Sequence, residues 1–151
     1  MTEIFFYHLH TQSLDKALGH LLQRALARGL RVVVRAGSAE RVEALNDSLW
    51  TFDRESFIPH GSRQDGGAER QPVWLTEREE NPNGASLLLL LDGAEGSLEG
   101  YARVCDLFDG RDQAAHAAAK ARWDRLKEKG LTPVYWRQDD AGRWRQDAGP
   151  G

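Results

Sequence analysis

The sequence is poor in several things that decide function early. It holds a single cysteine, Cys105, so it has neither an internal disulfide framework nor a thiolate metal cluster. Its most apolar run, Leu87-Leu88-Leu89-Leu90-Leu91, is far too short to span a bilayer, and the opening Met1-Thr2-Glu3-Ile4 is not a charged leader before an apolar segment. No membrane is expected, and a cytoplasmic location follows as the default. Strong charge of one sign is missing too. A net charge of -3 gives the whole molecule no attraction for duplex nucleic acid. Glycine is absent from the first strand–helix connection, Leu9-His10-Thr11-Gln12-Ser13, where a pyrophosphate would need close backbone approach. The glycines after Leu91, in Asp92-Gly93-Ala94-Glu95-Gly96, stand beside two carboxylates with no following Lys-Ser or Lys-Thr. A dedicated phosphate loop is therefore not readable, and no cofactor is expected.

What is present describes one α/β domain over residues 1–146, with residues 147–151 expected as a frayed tail. Glu3-Ile4-Phe5-Phe6-Tyr7-His8-Leu9 is apolar on both faces and reads as a buried strand. Ser13 stands as an N-cap before Leu14, Leu18, Leu21 and Leu22 at helical spacing, and Gly29 closes that helix. Arg31-Val32-Val33-Val34-Arg35 is a second buried strand, which completes a βαβ unit with parallel pairing. Ser38 caps a helix carrying Val42, Leu45 and Leu49 inward and Trp50 at its end. Residues 60–71 read as an exposed loop, residues 72–75 as a brief strand and residues 86–91 as a central strand. Residues 98–108 show helical spacing through Leu98, Tyr101 or Ala102, Cys105 and Phe108. The longest helix runs from about Arg111 to Lys129, with Gly130 as its stop. Residues 131–137 follow as a strand that Pro133 pushes towards a sheet edge, and Arg143-Trp144-Arg145 pairs back on it.

Charge is unevenly placed. Residues 1–110 carry 11 Lys and Arg against 17 Asp and Glu, whereas residues 111–145 carry 9 against 5. In the basic part, Lys120, Trp123 and Lys127 fall on one helical face, with Arg122, Arg125 and Lys129 on neighbouring stripes. An aromatic ring among cations suits an acidic peptide ending in an apolar residue and a free carboxylate, or a base of single-stranded nucleic acid. The same cations also serve as plain complements to the helix macrodipole, and Asp124 interrupts the stripe. Trp50, Phe52, Phe57 and Ile58 gather aromatic area that fits either a core edge or a protein-docking patch. His8 and His10 would share a strand face, but a metal site needs a third ligand from His20, His60 or His116 that no spacing provides. Glu77, Glu79 and Glu80 belong to a charged connector, and Ser56 and Ser62 lack a nucleophile elbow. No catalytic or metal residue is assigned.

Read together, Ile4-Phe5-Phe6-Tyr7, Arg31-Val32-Val33-Val34, Leu45-Asn46-Asp47-Ser48-Leu49-Trp50 and Glu55-Ser56-Phe57-Ile58-Pro59-His60 resemble the chi subunit family of bacterial DNA polymerase III. Asp106-Leu107-Phe108 and the helix through Ala119-Lys120-Ala121-Arg122-Trp123 extend the resemblance over nearly all of residues 1–137. The resemblance implies a mixed, mostly parallel sheet flanked by helices, similar to Rossmann-like nucleotide-binding folds but without their phosphate loop. It implies a non-catalytic subunit that pairs with psi, and through psi with the clamp loader, and that binds the acidic C-terminal tail of single-stranded DNA-binding protein. Trp50, Phe52, Phe57, Ile58 and Pro59 match the psi-facing region; Lys120, Arg122, Trp123 and Lys127 match the tail-binding region. Asp124 departs from the basic residue common at that place in the family, with Arg125, Lys127 and Arg137 available to compensate. Two rivals stand beside this reading: a direct single-strand binder stacking bases on Trp123, Trp136 and Trp144, and a nucleotide-using enzyme.

Overall fold

The computed structural model describes residues 2–51 and 58–150. Strand β1 (Glu3–Leu9) leads into α1 (Leu14–Ala27), β2 (Val32–Arg35) and α2 (Ala39–Thr51). The chain continues through β3 (Gly61–Ser62), β4 (Val73–Thr76), β5 (Leu87–Leu90), β6 (Arg103–Asp109), α3 (Gln113–Glu128), β7 (Val134–Gln138) and β8 (Trp144–Asp147). The strands form one sheet in the order β3-β4-β2-β5-β6-β1-β7-β8, parallel except for the antiparallel β7–β8 pair. This is the mixed, mostly parallel α/β sheet expected.

Both expected caps form: Ser13 Oγ accepts from the Lys16 amide and Ser38 Oγ from the Arg41 amide. Asp112 caps α3 by accepting from the amides of Ala114 and Ala115.

The handedness of the crossovers decides which helix covers which face. The β1–α1–β2 and β2–α2–β3 connections move one way across the sheet, so right-handed crossing puts α1 and α2 on the same face. There Leu18 and Leu22 of α1 and Val42 and Leu45 of α2 bury Val32, Val34, Leu75, Leu89 and Leu107. The β3–β4, β4–β5, β5–β6 and β6–β7 connections move the other way and lie on the opposite face, where only the last is an α-helix. That face packs Phe6, Val33, Trp74, Leu88, Val104 and Tyr135 under α3 and under connectors that include Ala68 and Leu98. One α-helix for four connections leaves space beside α3.

Four expectations are corrected here. Residues 103–109 are strand rather than helix: Val104 to Phe108 are buried on both sheet faces, so no two-residue alternation was visible and the helical spacing through Cys105 and Phe108 was coincidental. The 60–71 segment is not wholly exposed, because His60 and Ser62 are buried and Gly61–Ser62 adds β3 to the edge of β4. Pro133 precedes β7, which is an inner strand between β1 and β8. The end of the chain does not fray from residue 147: Asp147 belongs to β8, and Pro150 is buried with its carbonyl accepting from His116 Nε2.

Candidate docking surfaces

Helix α3 buries two of its residues, Ala119 and Trp123, one turn apart. Ala119 lets the helix settle onto the sheet, and the indole beyond it meets Phe6 and Tyr135 edge-on at ring separations of 5.4 and 5.6 Å. Trp123 is 7% exposed. It was expected as an open clamp, and it is instead the helix's anchor in the core. Lys120 and Lys127 are exposed on this flank, with the Lys127 ammonium 5.8 Å over the indole ring.

Arg122 turns to the opposite flank, away from the other three tail-region residues. Its guanidinium donates twice to Asp106, Nε at 2.7 Å and a terminal nitrogen at 2.9 Å. Burial raises the Asp106 carboxyl pKa, with the Arg122 charge opposing that shift. Arg122, Arg125 and Lys129 line one wall of a cavity of about 660 Å³, over a floor that includes Ile4, Phe6, Leu90 and Val104. Its far wall, residues 94–99, carries Glu95 and Glu99. Arg35, 1% exposed, holds that wall by donating to the carbonyls of Ser97 and Glu95, while Glu79 accepts from the Ser97 amide. Sequence reasoning missed this cavity. The available signal was a lone arginine ending the buried run Val32-Val33-Val34.

The aromatic patch is only partly a surface. Trp50, at the end of α2, is 54% exposed and its ring lies 4.8 Å from that of His60. Ile58, expected on the docking patch, is 1% exposed inside the α1/α2 core and is not accessible. Pro59 is half-buried, and Phe52 and Phe57 lie outside the described residues.

The remaining candidates resolve into structural roles. His8 is buried, with Nδ1 2.6 Å from the Tyr135 hydroxyl, and burial pushes its pKa down to about 4, with the Arg137 charge adding to the fall. His10 instead pairs with Asp140, and among the described residues no group of three potential metal ligands occurs. Glu80 accepts from the Trp74 indole and the Thr76 hydroxyl, and Ser62 bonds Asp65. Of the rings proposed for base stacking, Trp123 is buried and Trp144 packs edge-on to Tyr7 at 5.2 Å.

The crevice between β1 and β6, where the following helices leave to opposite faces, is the usual ligand position of such sheets. Here the amides of His10, Thr11 and Gln12 all donate to one atom, Oε1 of the buried Gln138, at 3.1, 2.9 and 3.0 Å. The donors that would cradle a phosphate are thus already taken by β7.

Residues 1–134 match the protein family described as "DNA polymerase III chi subunit, HolC". A Rickettsia prowazekii (strain Madrid E) protein named "Probable DNA polymerase III subunit chi" is 33% identical over 91 residues, covering 60% of this chain and 55% of its own length. A Pseudomonas aeruginosa protein named "DNA polymerase III subunit chi" is 25% identical over 133 residues, 86% of this chain and 92% of that one. The family match spans both flanking layers of the sheet through the start of β7, and with it the chain belongs to the DNA polymerase III chi subunit family.

Proposed function

We propose that this protein is a non-catalytic accessory subunit of the polymerase III holoenzyme. It bridges psi, and so the clamp loader, to the acidic C-terminal tail of single-stranded DNA-binding protein. The observation that carries this reading is the separation of two candidate surfaces. Exposed Trp50 ends a helix on one face of the sheet, and the cations of α3 stand on the other face. Two partners can then be held at once without competing. Psi covers the Trp50 region, where the half-exposed indole favours burial. The tail's carboxylates pair with α3, which offers Lys120 and Lys127 on one flank and Arg125 and Lys129 on the other.

The test is calorimetric titration with a short acidic peptide ending in Asp-Ile-Pro-Phe. Micromolar binding that weakens with salt is expected. Two paired variants separate the flanks: Lys120→Glu with Lys127→Glu, and Arg125→Glu with Lys129→Glu. Loss in the first pair alone puts the tail beside Trp123, and loss in the second alone puts it in the cavity. Unchanged affinity in both pairs, or affinity indifferent to salt, refutes the charge-pairing account. Trp50→Ala should weaken psi binding at least tenfold and leave the peptide titration unchanged.

A further inference from the structure

The flank of α3 that carries Lys120, Trp123 and Lys127 already has an occupant. After β7 the chain turns at residues 139–143, pairs back as β8 and then crosses α3. Asp147 accepts from Arg137 Nε at 2.7 Å and from the Ala148 amide. Gly149 lies flat against Trp123, where a Cβ would stand 3.4 Å from the indole Nε1 and 3.5 Å from Cε2 and Cζ2. Pro150 is buried, and its carbonyl accepts from His116 Nε2 at 2.6 Å. His116 is two turns before Trp123 on the same face, so the segment runs along the face itself.

β8 and residues 148–150 lie beyond residues 1–134 that match the family. The crossing segment brings little holding power. Ala148 and Gly149 bury no large side chain, and among the described residues the grip on α3 is the Pro150 ring, the Gly149 contact with Trp123 and one hydrogen bond to His116. The segment nonetheless shares two features with the acidic peptide proposed for this face, a carboxylate at Asp147 and a proline after it, Pro150. Main chain against an indole, with a carbonyl on a neighbouring imidazole, is the seat an incoming peptide would take.

We propose that residues 147–150 are a built-in, weakly held occupant of the α3 docking face, and that the acidic tail binds by displacing them. The inference rests on the tail-binding reading above and adds its regulation. A covered site lowers apparent affinity by the fraction of molecules in which it is open. An intramolecular cover also competes at a high local concentration that no dilution removes.

The test compares three proteins in the same peptide titration: the full chain, the full chain with Pro150→Gly, and a chain ending after Asp147. Loosening or removing the cover should tighten peptide binding by about 3- to 10-fold. In heteronuclear NMR of the full chain, saturating peptide should move the Gly149 amide signal to an unstructured position. It should also shift the Trp123 indole N–H, identified by its loss in Trp123→Phe. Binding only after the cover is removed supports the proposal in its strongest form. Equal affinity in all three proteins, or peptide binding that leaves the Gly149 signal in place, overturns it and leaves tail binding standing. Binding by none of the three overturns both.

Discussion

Between pH 6.5 and 4, acidification should destabilise this protein chiefly through His8. Its ring is 5% exposed and lies among Phe108, His116 and Tyr135, with centroid separations of 5.1, 5.1 and 5.8 Å. Burial, with the Arg137 and His116 charges adding to it, depresses its pKa from 6.5 to about 4. The folded state therefore refuses a proton that the unfolded chain accepts below pH 6.5. A depressed folded pKa gives stability that is fully present above the unfolded value and lost as pH falls towards the folded one. At about 1.4 kcal/mol for each unit of difference, the loss between pH 6.5 and pH 4 amounts to roughly 3 kcal/mol. Urea denaturation at half-unit steps of pH measures it, with a midpoint shift on the order of 1 M. The control is His8→Asn, whose amide can keep a polar contact to the Tyr135 hydroxyl but does not titrate. The variant should be less stable at neutral pH, by roughly 1–3 kcal/mol for the lost ring volume, with a flatter profile from pH 6.5 to 4.5, so that its deficit shrinks as pH falls. Parallel profiles for wild type and variant would refute the assignment.

Gln138→Ala strips the shared acceptor from the amides of His10, Thr11 and Gln12 and should cost roughly 2–3 kcal/mol by urea denaturation. A loss below about 0.5 kcal/mol would mean water replaces the amide there. Asp106→Ala leaves the mostly buried Arg122 guanidinium unpaired, and a loss of about 3 kcal/mol is expected, while Asp106→Leu with Arg122→Leu should recover most of it. A double variant no more stable than Asp106→Ala would refute that account of the pair. Gly110→Ala should prevent stable folding, because a Cβ there would overlap the His8 ring. Wild-type melting behaviour in that variant would show that β1 and β6 part more easily than their pairing implies.

The first half of the fold was legible because each element carried its own signal. β1 and β2 are continuous apolar runs, and α1 and α2 have side-chain caps and inner stripes that ended up inward. Strand β6 was not, for a physical reason. Asp106 faces α3 to meet Arg122, while Cys105 and Leu107 face the other core, so a polar residue sits amid a run buried on both sides. Neither a period of two nor a continuous apolar block survives that mixture. The α3 stripes were legible from spacing alone, but which stripe met the sheet was not. Ala119 decided it: a small residue one turn before a tryptophan marks the side that can approach closely, and the ring that looked like a clamp among cations became the anchor.

The position of the docking surfaces follows from topology rather than from any one residue. Right-handed crossing sends every connection that moves one way over the sheet to one face, and every return to the other. Trp50 ends α2 on an outgoing connection, and the α3 cations belong to a return, so the two surfaces are on opposite faces whatever their side chains. The outgoing face has two helices over its core. The return face has one α-helix for four connections, which is why the cavity between α3 and residues 94–99 opens there. It is also where a segment as slight as residues 148–150 finds a place along α3, against Trp123 and His116. A sheet wound evenly on both faces would have had less room for either, so the economy of helices on the return face is what leaves space along both flanks of α3.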